Sequence, residues 1–288
     1  MSRETPTGIL VVGATGTQGG AVVDALLDSD IEFDVHGLTR HPESDAARQL
    51  VERGVTIEEG NLNEKEALRP IVEEVDAVYG VTNYYEAGYD REVAQGTNLA
   101  EVAADVGVDH FVFSSVGGAE RDTDIPHFDS KYEVEERIRD LDLPATVVRP
   151  VFFMQNFEGQ RDAIENGTMA LALDEGVELQ MIDVDDIGAF VARIFEHPDE
   201  YRGEAFELAG DEHTLESSAA TASDVLDRDV EARYLSIEDV RGRMGDEAAT
   251  MFEWFNEHGY EADIETLRED NDVDFTRLAA YVRKNDWK

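Results

Sequence analysis

Short apolar runs alternate with amphipathic stretches along the first half of the chain. Each apolar run suits a strand buried on both faces of a parallel sheet, and each amphipathic stretch repeats apolar residues at helical spacing. Strands are predicted over residues 9–12, 33–39, 55–59, 77–81, 110–113 and 145–149, with helices after residue 16 and over 44–53, 65–72, 92–106 and 127–141. Six strands that alternate with helices predict an α/β fold with a doubly wound parallel sheet in residues 1–150.

The alternation loosens after Pro150. A seventh strand is predicted over 205–208, and helices are predicted over 157–165, 186–195, 214–226, 237–243, 247–258 and 275–284. Residues 151–288 should therefore add a last strand or two to the sheet and form a smaller C-terminal lobe. Doubly wound sheets bind ligands at the carboxyl ends of their strands, so this lobe is expected to contact a substrate or a partner.

A glycine-rich turn joins the first predicted strand to the first helix. Gly13 allows a tight turn, Gly16 lets the backbone approach a pyrophosphate, and Gly19 lets the helix pack closely on its strand, as in a Rossmann-type domain. The N–H groups at the helix start then face the phosphate charge. The spacing is G-x-x-G-x-x-G, so an ordinary strand-to-helix turn is the alternative. The nucleotide interpretation assigns the phosphate site to Gly13, Thr15, Gly16, Thr17, Gln18 and Gly19.

The second predicted strand ends at Thr39 and is followed by Arg40. In nucleotide-binding βαβ units, an acidic residue here binds the ribose 2′-hydroxyl of NAD, whereas an arginine accommodates the 2′-phosphate of NADP. No carboxylate follows until Glu43. Arg40 offers a planar fork to a phosphate and Thr39 offers a hydroxyl, so the sequence predicts NADP(H) as the cofactor. The alternative is that Arg40 is a solvated residue of an acidic protein.

Candidate chemistry lies at Ser114, Ser115, His127 and Lys131. His127 and Lys131 are four residues apart and share one face of a helix. Short-chain dehydrogenases carry Tyr-x-x-x-Lys here, and their Tyr protonates the substrate oxygen. In this chain Lys131 fills the Lys position but His127 fills the Tyr position, and Tyr132 is one residue out of place. His127 could act as a general acid, since the reference pKa of histidine is about 6.5. The alternative is that His127 only packs near the cofactor.

The formal net charge of −42 changes the expected environment of the protein. The carboxylates of a surface this acidic repel one another in dilute buffer. This repulsion largely disappears in molar salt, where the screening length falls to about 3 Å. The composition is typical of a cytoplasmic protein from a halophile that accumulates salt; an acidic face for a basic partner is the alternative. Direct nucleic-acid binding is not expected, because no basic stripe could neutralise phosphates.

The sequence predicts no membrane span, no signal peptide, no disulfide and no metal site. It has no long apolar run and no cysteine, and its seven histidines show no paired ligand spacing. One aromatic cluster stands out on a predicted helix. It consists of Met251, Phe252, Trp254 and Phe255. Core packing is the default interpretation of this cluster, and a substrate or partner face is the alternative.

Several of these motifs together resemble the NmrA-like family of atypical short-chain dehydrogenases. They are G-A-T-G-T-Q-G-G from Gly13, Thr39-Arg40, V-T-N-Y-Y from Val81, H-F-D-S-K-Y-E-V-E-E from His127, R-P-V-F-F-M-Q-N-F from Arg149 and I-D-V-D-D-I-G-A-F from Ile182. The resemblance spans essentially the whole chain and is strongest to a branch that contains a human redox-sensor protein. Besides the glycine turn and Arg40, it implies adenine contacts at Asn61 and Leu62, and ribose and nicotinamide contacts at Thr82, Asn83, Lys131 and Phe153.

This resemblance implies two hypotheses of function. The first is an NADP(H)-binding sensor or regulator with little turnover, which would bind a regulatory protein. The second is an NADPH-dependent reductase of a quinone or another small carbonyl compound. His127 in the Tyr position favours the sensor, whereas the intact Lys131 leaves room for hydride transfer. A monomer or a homodimer is expected.

Overall fold

The computed structural model describes residues 7–271, 273–285 and 287. The strands in these residues are β1 (Thr7–Val12), β2 (Phe33–Thr39), β3 (Thr56–Glu59), β4 (Ala77–Val81), β5 (His110–Ser114), β6 (Ala145–Pro150), β7 (Phe152–Phe153), β8 (Thr168–Leu171), β9 (Glu178–Ile182), β10 (Ala205–Leu208), β11 (Asp211–Thr214) and β12 (Glu231–Tyr234). The helices are α1 (Thr17–Asp28), α2 (Asp45–Glu52), α3 (Lys65–Val72), α4 (Tyr84–Ala87), α5 (Tyr89–Val106), α6 (Pro126–Asp140), α7 (Arg161–Glu165), α8 (Val184–Glu196), α9 (Pro198–Tyr201), α10 (Leu215–Leu226), α11 (Ile237–Met244), α12 (Asp246–Glu257), α13 (Ile264–Asp270) and α14 (Leu278–Lys284). None of these helices is both long enough and apolar enough to cross a membrane.

Seven strands form the central sheet in the order β3-β2-β1-β4-β5-β6-β10. All of the pairings within it are parallel. The chain winds outward from β1 to β3, returns to β4 on the other side of β1, and continues outward to β10. The strand order therefore reverses between β1 and β4, which is where sheets of this kind bind ligands. The predicted Rossmann-type α/β fold is confirmed, and the seventh predicted strand is its last strand.

The central sheet is covered on both faces, as the unbroken apolar run of β1 requires. Because side chains alternate along a strand, Ile9 and Val11 pack into one apolar core with residues of α1 and α8. Leu10 and Val12 pack into a second core with residues of α3, α5 and α6. This two-sided packing fixes the sheet and holds the carboxyl ends of its strands in one rigid edge.

The C-terminal lobe has a separate apolar core and two small sheets, β11-β9-β7 and β12-β8. Two helix predictions need correction here. The predicted helix over 157–165 is a 3-10 helix, Met154–Gln160, followed by α7. The predicted helix over 275–284 begins only at Leu278, because the backbone N–H and the hydroxyl of Thr276 donate to the carboxylate of Asp186, at 2.7 and 2.8 Å.

Candidate functional site

Two adjoining cavities lie at the carboxyl edge of the central sheet. The strand-end cavity has a volume of about 230 Å³ and opens above β1, β2 and β4. The lobe cavity has a volume of about 790 Å³ and extends from β4 and β6 into the C-terminal lobe. Val81, Thr82 and Asn83 line both cavities. One elongated ligand could therefore extend through both cavities, or two smaller ligands, one in each cavity, could touch at these residues.

The structure distributes the site residues predicted from the sequence between these two cavities. Those that line the strand-end cavity are Gly13, Thr15, Thr39, Arg40, Asn61, Leu62, Thr82 and Asn83. Those that line the lobe cavity are Gln18, Thr82, Asn83, Ser115, His127, Lys131 and Phe153. Gly16, Thr17 and Gly19 line neither cavity and belong to the turn and first helical residues behind them, and Ser114 is buried inside β5.

The glycine turn has the geometry that a phosphate group needs. Gly13 adopts a φ of +67°, which other residues rarely tolerate. A Cβ atom on Gly19 would lie 2.3 Å from the carbonyl oxygen of Gly13, so only glycine lets α1 start this close to β1. The N-terminus of α1 has no side-chain cap and no acidic residue in its first turn, although the chain is highly acidic. Its N–H groups therefore remain available to an anion such as a pyrophosphate.

Arg40 lies at the far end of the strand-end cavity and forms an ion pair that the sequence did not suggest. Its guanidinium donates to the Oε2 atom of Glu86, in α4, at 2.8 Å. Both side chains are more than half exposed, and both residues line the cavity. A 2′-phosphate on Arg40 would therefore meet a carboxylate that already occupies the guanidinium.

Lys131 is held by a buried carboxylate on the neighbouring helix α5. Its Nζ atom donates to Oε1 of Glu92 at 2.8 Å and to the carbonyl and hydroxyl oxygens of Thr82, both at 3.2 Å. Glu92 is fully buried, and it also accepts hydrogen bonds from the hydroxyls of Thr82 and Ser130. The lysine charge is thus neutralised and fixed in place at the boundary of the two cavities.

His127 lies in the wall of the lobe cavity and is oriented by Glu247 from α12. The distance from its Nδ1 atom to Oε1 of Glu247 is 2.6 Å. If Nδ1 carries the proton of this hydrogen bond, Nε2 is left for a ligand. Burial lowers the pKa of His127, and Glu247 partly opposes this shift. Tyr132, by contrast, lines neither cavity and packs under the guanidinium of Arg139 at 5.1 Å, so it cannot replace the missing Tyr.

Two further features of the lobe cavity are suited to binding a ligand. Ser115 is 5% exposed and lines the cavity, and its hydroxyl has no hydrogen-bond partner among the described residues. A buried hydroxyl of this kind normally has a partner, which a ligand could supply. Of the aromatic cluster on α12, Met251, Phe252 and Phe255 line the cavity while also packing in the core of the lobe.

Comparison with known proteins identifies relatives along most of the chain. The profile of the NmrA-like family matches residues 5–282. An NmrA-like family domain-containing protein of Dictyostelium discoideum is 31% identical over 269 residues, which cover 87% of this chain and 88% of that protein. An NAD(P)H azoreductase of Xenophilus azovorans is 32% identical over 215 residues, covering 74% of this chain and 72% of the enzyme.

Solved structures share the fold at lower sequence identity. An NADPH-dependent quinone oxidoreductase of Escherichia coli, complexed with NADPH, superposes with a TM-score of 0.84 and 22% identity, over 96% of this chain and 99% of the enzyme. NmrA, a negative transcriptional regulator, in complex with NAD, has a TM-score of 0.78 and 19% identity, over 98% of this chain and 95% of the regulator. The fold therefore occurs in both an enzyme and a regulator. The match of the family profile over nearly the full length shows that this chain belongs to the NmrA-like family.

Proposed function

We propose that this protein is an NADPH-dependent reductase of a planar carbonyl compound such as a quinone. The observation that carries this proposal is the lobe cavity, which is mainly apolar and opens beside Lys131, Thr82 and Asn83. Its volume of about 790 Å³ falls within the range of about 300–1,000 Å³ that is usual for sites of small organic ligands. A protein that only sensed the nucleotide would not need the lobe cavity.

The residues of the strand-end cavity fit NADP(H). The start of α1 would bind the pyrophosphate, Arg40 and Thr39 the 2′-phosphate, and Asn61 and Leu62 the adenine. Lys131, fixed by Glu92, would bind the nicotinamide ribose. When bound, NADPH supplies a hydride. The compared structures hold NADPH in one case and NAD in the other, so they do not distinguish between the two cofactors. The proposed preference for NADP over NAD therefore rests on Arg40.

His127 can supply the proton that accompanies the hydride. His127 lines the lobe cavity and its Nδ1 atom is held by Glu247, so a protonated ring could donate from Nε2 to a substrate oxygen and become a neutral imidazole. The lowered pKa of His127 means that the protonated form becomes scarce as the pH rises above the shifted value. The imidazole would be reprotonated from solvent before the next turnover.

A nucleotide sensor is the second candidate function, and one observation favours it. Lys131 is already neutralised by the buried Glu92, and the Tyr that would protonate a substrate is replaced by His127. In this case the lobe would bind a regulatory protein, and NADPH would be bound without being consumed. The sequence motifs resemble a branch of the family that contains a redox-sensor protein, and this resemblance also supports the second candidate function.

The deciding experiment is steady-state NADPH oxidation with a panel of quinones and aldehydes in about 2 M KCl. We expect turnover by the wild-type protein that falls as the pH rises through the lowered pKa of His127. His127→Gln should reduce kcat by about 10²–10⁴-fold and flatten this pH dependence, with little change in the Kd of NADPH. His197→Gln, which removes a histidine outside both cavities, is the matched control.

The other outcomes distinguish the candidate functions. Tight NADPH binding without turnover of any compound in the panel would favour the sensor and contradict the reductase. Turnover that His127→Gln leaves unchanged would support the reductase but contradict the role of His127, because quinones can be reduced without a proton donor on the protein. Equal losses in His127→Gln and His197→Gln would indicate a general effect on the fold.

A further inference from the structure

The lobe cavity differs in charge from the rest of the molecule. Asp and Glu make up 66 of the 288 residues, but none of the described residues that line this cavity is acidic. Its lining does include Lys131, Arg233 and Arg243. The protein therefore carries a large negative charge but encloses a cavity whose charged lining residues are all cations.

Only two of these cations are free to interact with a ligand. Lys131 is neutralised by Glu92 at 2.8 Å. The side chains of Arg233, in β12, and Arg243, in the last turn of α11, are exposed, and neither forms a hydrogen bond or an ion pair with any described residue. Arg241, two residues from Arg243, shows the contrast, because it pairs with carboxylates of two residues at 3.0 Å each.

The acidic groups near the cavity have partners of their own. Glu247 is hydrogen-bonded to His127 at 2.6 Å. The carboxylate of Asp239 accepts a hydrogen bond from the hydroxyl of Ser236 at 2.8 Å, and the backbone N–H of Asp239 donates to that hydroxyl oxygen at 3.1 Å. The pKa of Asp239 is lowered by its hydrogen bonds with Ser236 and in part by the charges of Arg243 and Arg233. The charges of two guanidinium groups thus act on this one carboxylate, which can offset only one of them.

Apolar residues line the lobe cavity together with these arginines. They belong to α11, α12 and the link between β12 and α11, and they are Leu235, Val240, Met244, Met251, Phe252 and Phe255. A ligand that fills the cavity would meet Lys131 and His127, these apolar side chains, and Arg233 and Arg243. This arrangement fits a molecule with an apolar body and one anionic group.

We propose that Arg233 and Arg243 bind the carboxylate or sulfonate group of an otherwise apolar, aromatic substrate. Guanidinium groups bind such planar or branched oxyanions by paired, charge-assisted hydrogen bonds. Elsewhere the acidic surface repels an anion, so these two arginines attract the substrate and fix its orientation. The proposal names the substrate class of the reductase and in that respect rests on the proposed function.

The test compares two probes that differ in one charged group, 1,4-naphthoquinone and 1,4-naphthoquinone-2-sulfonate. Their Kd values can be measured without turnover by quenching of tryptophan fluorescence, because the ring of Trp254 lies 5.9 Å from that of Phe255 in the cavity wall. We expect the wild-type protein to bind the sulfonate at least about fivefold more tightly than the neutral quinone. The double variant R233Q/R243Q should lose this preference and bind the neutral quinone as before.

Arg283→Gln is the matched control, because Arg283 also lies in the last turn of a helix and is exposed, but it lines neither cavity. It should leave both Kd values unchanged. Arg243→Lys, which keeps the charge but not the fork, should retain part of the preference. All measurements are made at the same salt concentration, and thermal melts confirm that each variant is folded.

Three results would overturn the proposal: equal affinity of the wild-type protein for both probes, a preference that survives in R233Q/R243Q, or an equal loss in R283Q. The outcome is separable from that of the proposed function. Turnover of both quinones without a preference would contradict the anion site and leave the reductase standing. Selective binding of the sulfonate without turnover would support the anion site and contradict the reductase.

Discussion

The side chains of Arg40, which follows β2, and Glu86, in α4, form an ion pair in the lining of the strand-end cavity. Because both are more than half exposed, their ion pair stabilises the fold by at most about 1 kcal/mol. In the proposed cofactor site, a 2′-phosphate would compete with Glu86 for the same guanidinium. Glu86 would therefore reduce the affinity for NADPH, whereas NADH, which lacks the phosphate, would be nearly unaffected by it.

This competition gives opposite expectations for the two partners. The wild-type protein should bind NADPH at least about tenfold more tightly than NADH, and Arg40→Ala should remove most of that preference. Glu86→Gln should strengthen NADPH binding by about threefold and leave NADH binding almost unchanged. Titration calorimetry measures the Kd values of NADPH and NADH for each of these proteins. Arg48→Ala, which breaks an exposed ion pair outside both cavities, is the control. Equal affinity of the wild-type protein for NADPH and NADH would contradict the role of Arg40.

At the scale of elements, β5 and β6 are joined by a buried polar contact beside their backbone pairing. The Nε2 atom of His110 lies 2.8 Å from the hydroxyl of Thr146, which donates to the carbonyl of Tyr201 at 2.7 Å. His110 is 2% exposed, and its Nδ1 atom has no partner among the described residues. A proton on Nδ1 would therefore be buried without an acceptor, and burial lowers the pKa of His110 to about 4.

Neutral His110 should make the stability of the fold depend on pH. The pKa of His110 is about 6.5 in the unfolded chain and is lowered to about 4 in the fold. The contribution of neutral His110 to the free energy of unfolding is therefore complete above pH 6.5 and is lost as the pH falls through 4. This amounts to about 2 kcal/mol between pH 7 and pH 5. Denaturant unfolding at both pH values should show a smaller decrease for His110→Asn than for the wild-type protein. The exposed His258→Gln should behave like the wild type, and identical decreases in all three proteins would exclude this role.

The sequence predicted the elements whose signal is local and missed those that depend on distant partners. All strands of the central sheet were predicted, and β1, β4 and β5 among them are nearly unbroken apolar runs. β11 and β12 are short and largely polar, and each exists because another strand pairs with it. The same limit holds at the site. The glycine turn and Arg40 follow predicted strands directly, but Glu247 reaches His127 across 120 residues of sequence and could not be assigned to it.

At the scale of the whole molecule, the net charge of −42 is not neutralised by the ion pairs of the fold. The chain has 24 basic residues against 66 acidic ones, so most carboxylates repel one another even where every cation is paired. Exposed ion pairs stabilise little, whereas the summed repulsion acts over the whole surface. Salt should therefore stabilise this protein more than it stabilises a protein of balanced charge.

The melting temperature should rise by about 10 °C or more between low salt and about 2 M KCl, because screening removes the repulsion between carboxylates. Differential scanning calorimetry measures this rise. Sucrose at matched osmolality does not screen charge and should give a smaller increase. Melts that are flat across the salt series would instead favour a basic partner as the reason for the acidic surface.

The packing of α8 on α1 limits how this protein could change during evolution. A Cβ atom on Gly188, in α8, would lie 2.3 Å from the carbonyl oxygen of Ala21, in α1. The backbones of these two helices are therefore in direct contact at this position. Together with β10, which completes the central sheet, α8 ties the chain after residue 150 to the first half of the chain. The C-terminal lobe therefore cannot be exchanged as a block. New substrates are expected to be acquired by substitutions within β12, α11 and α12, whose residues line the cavity without contributing to this joint.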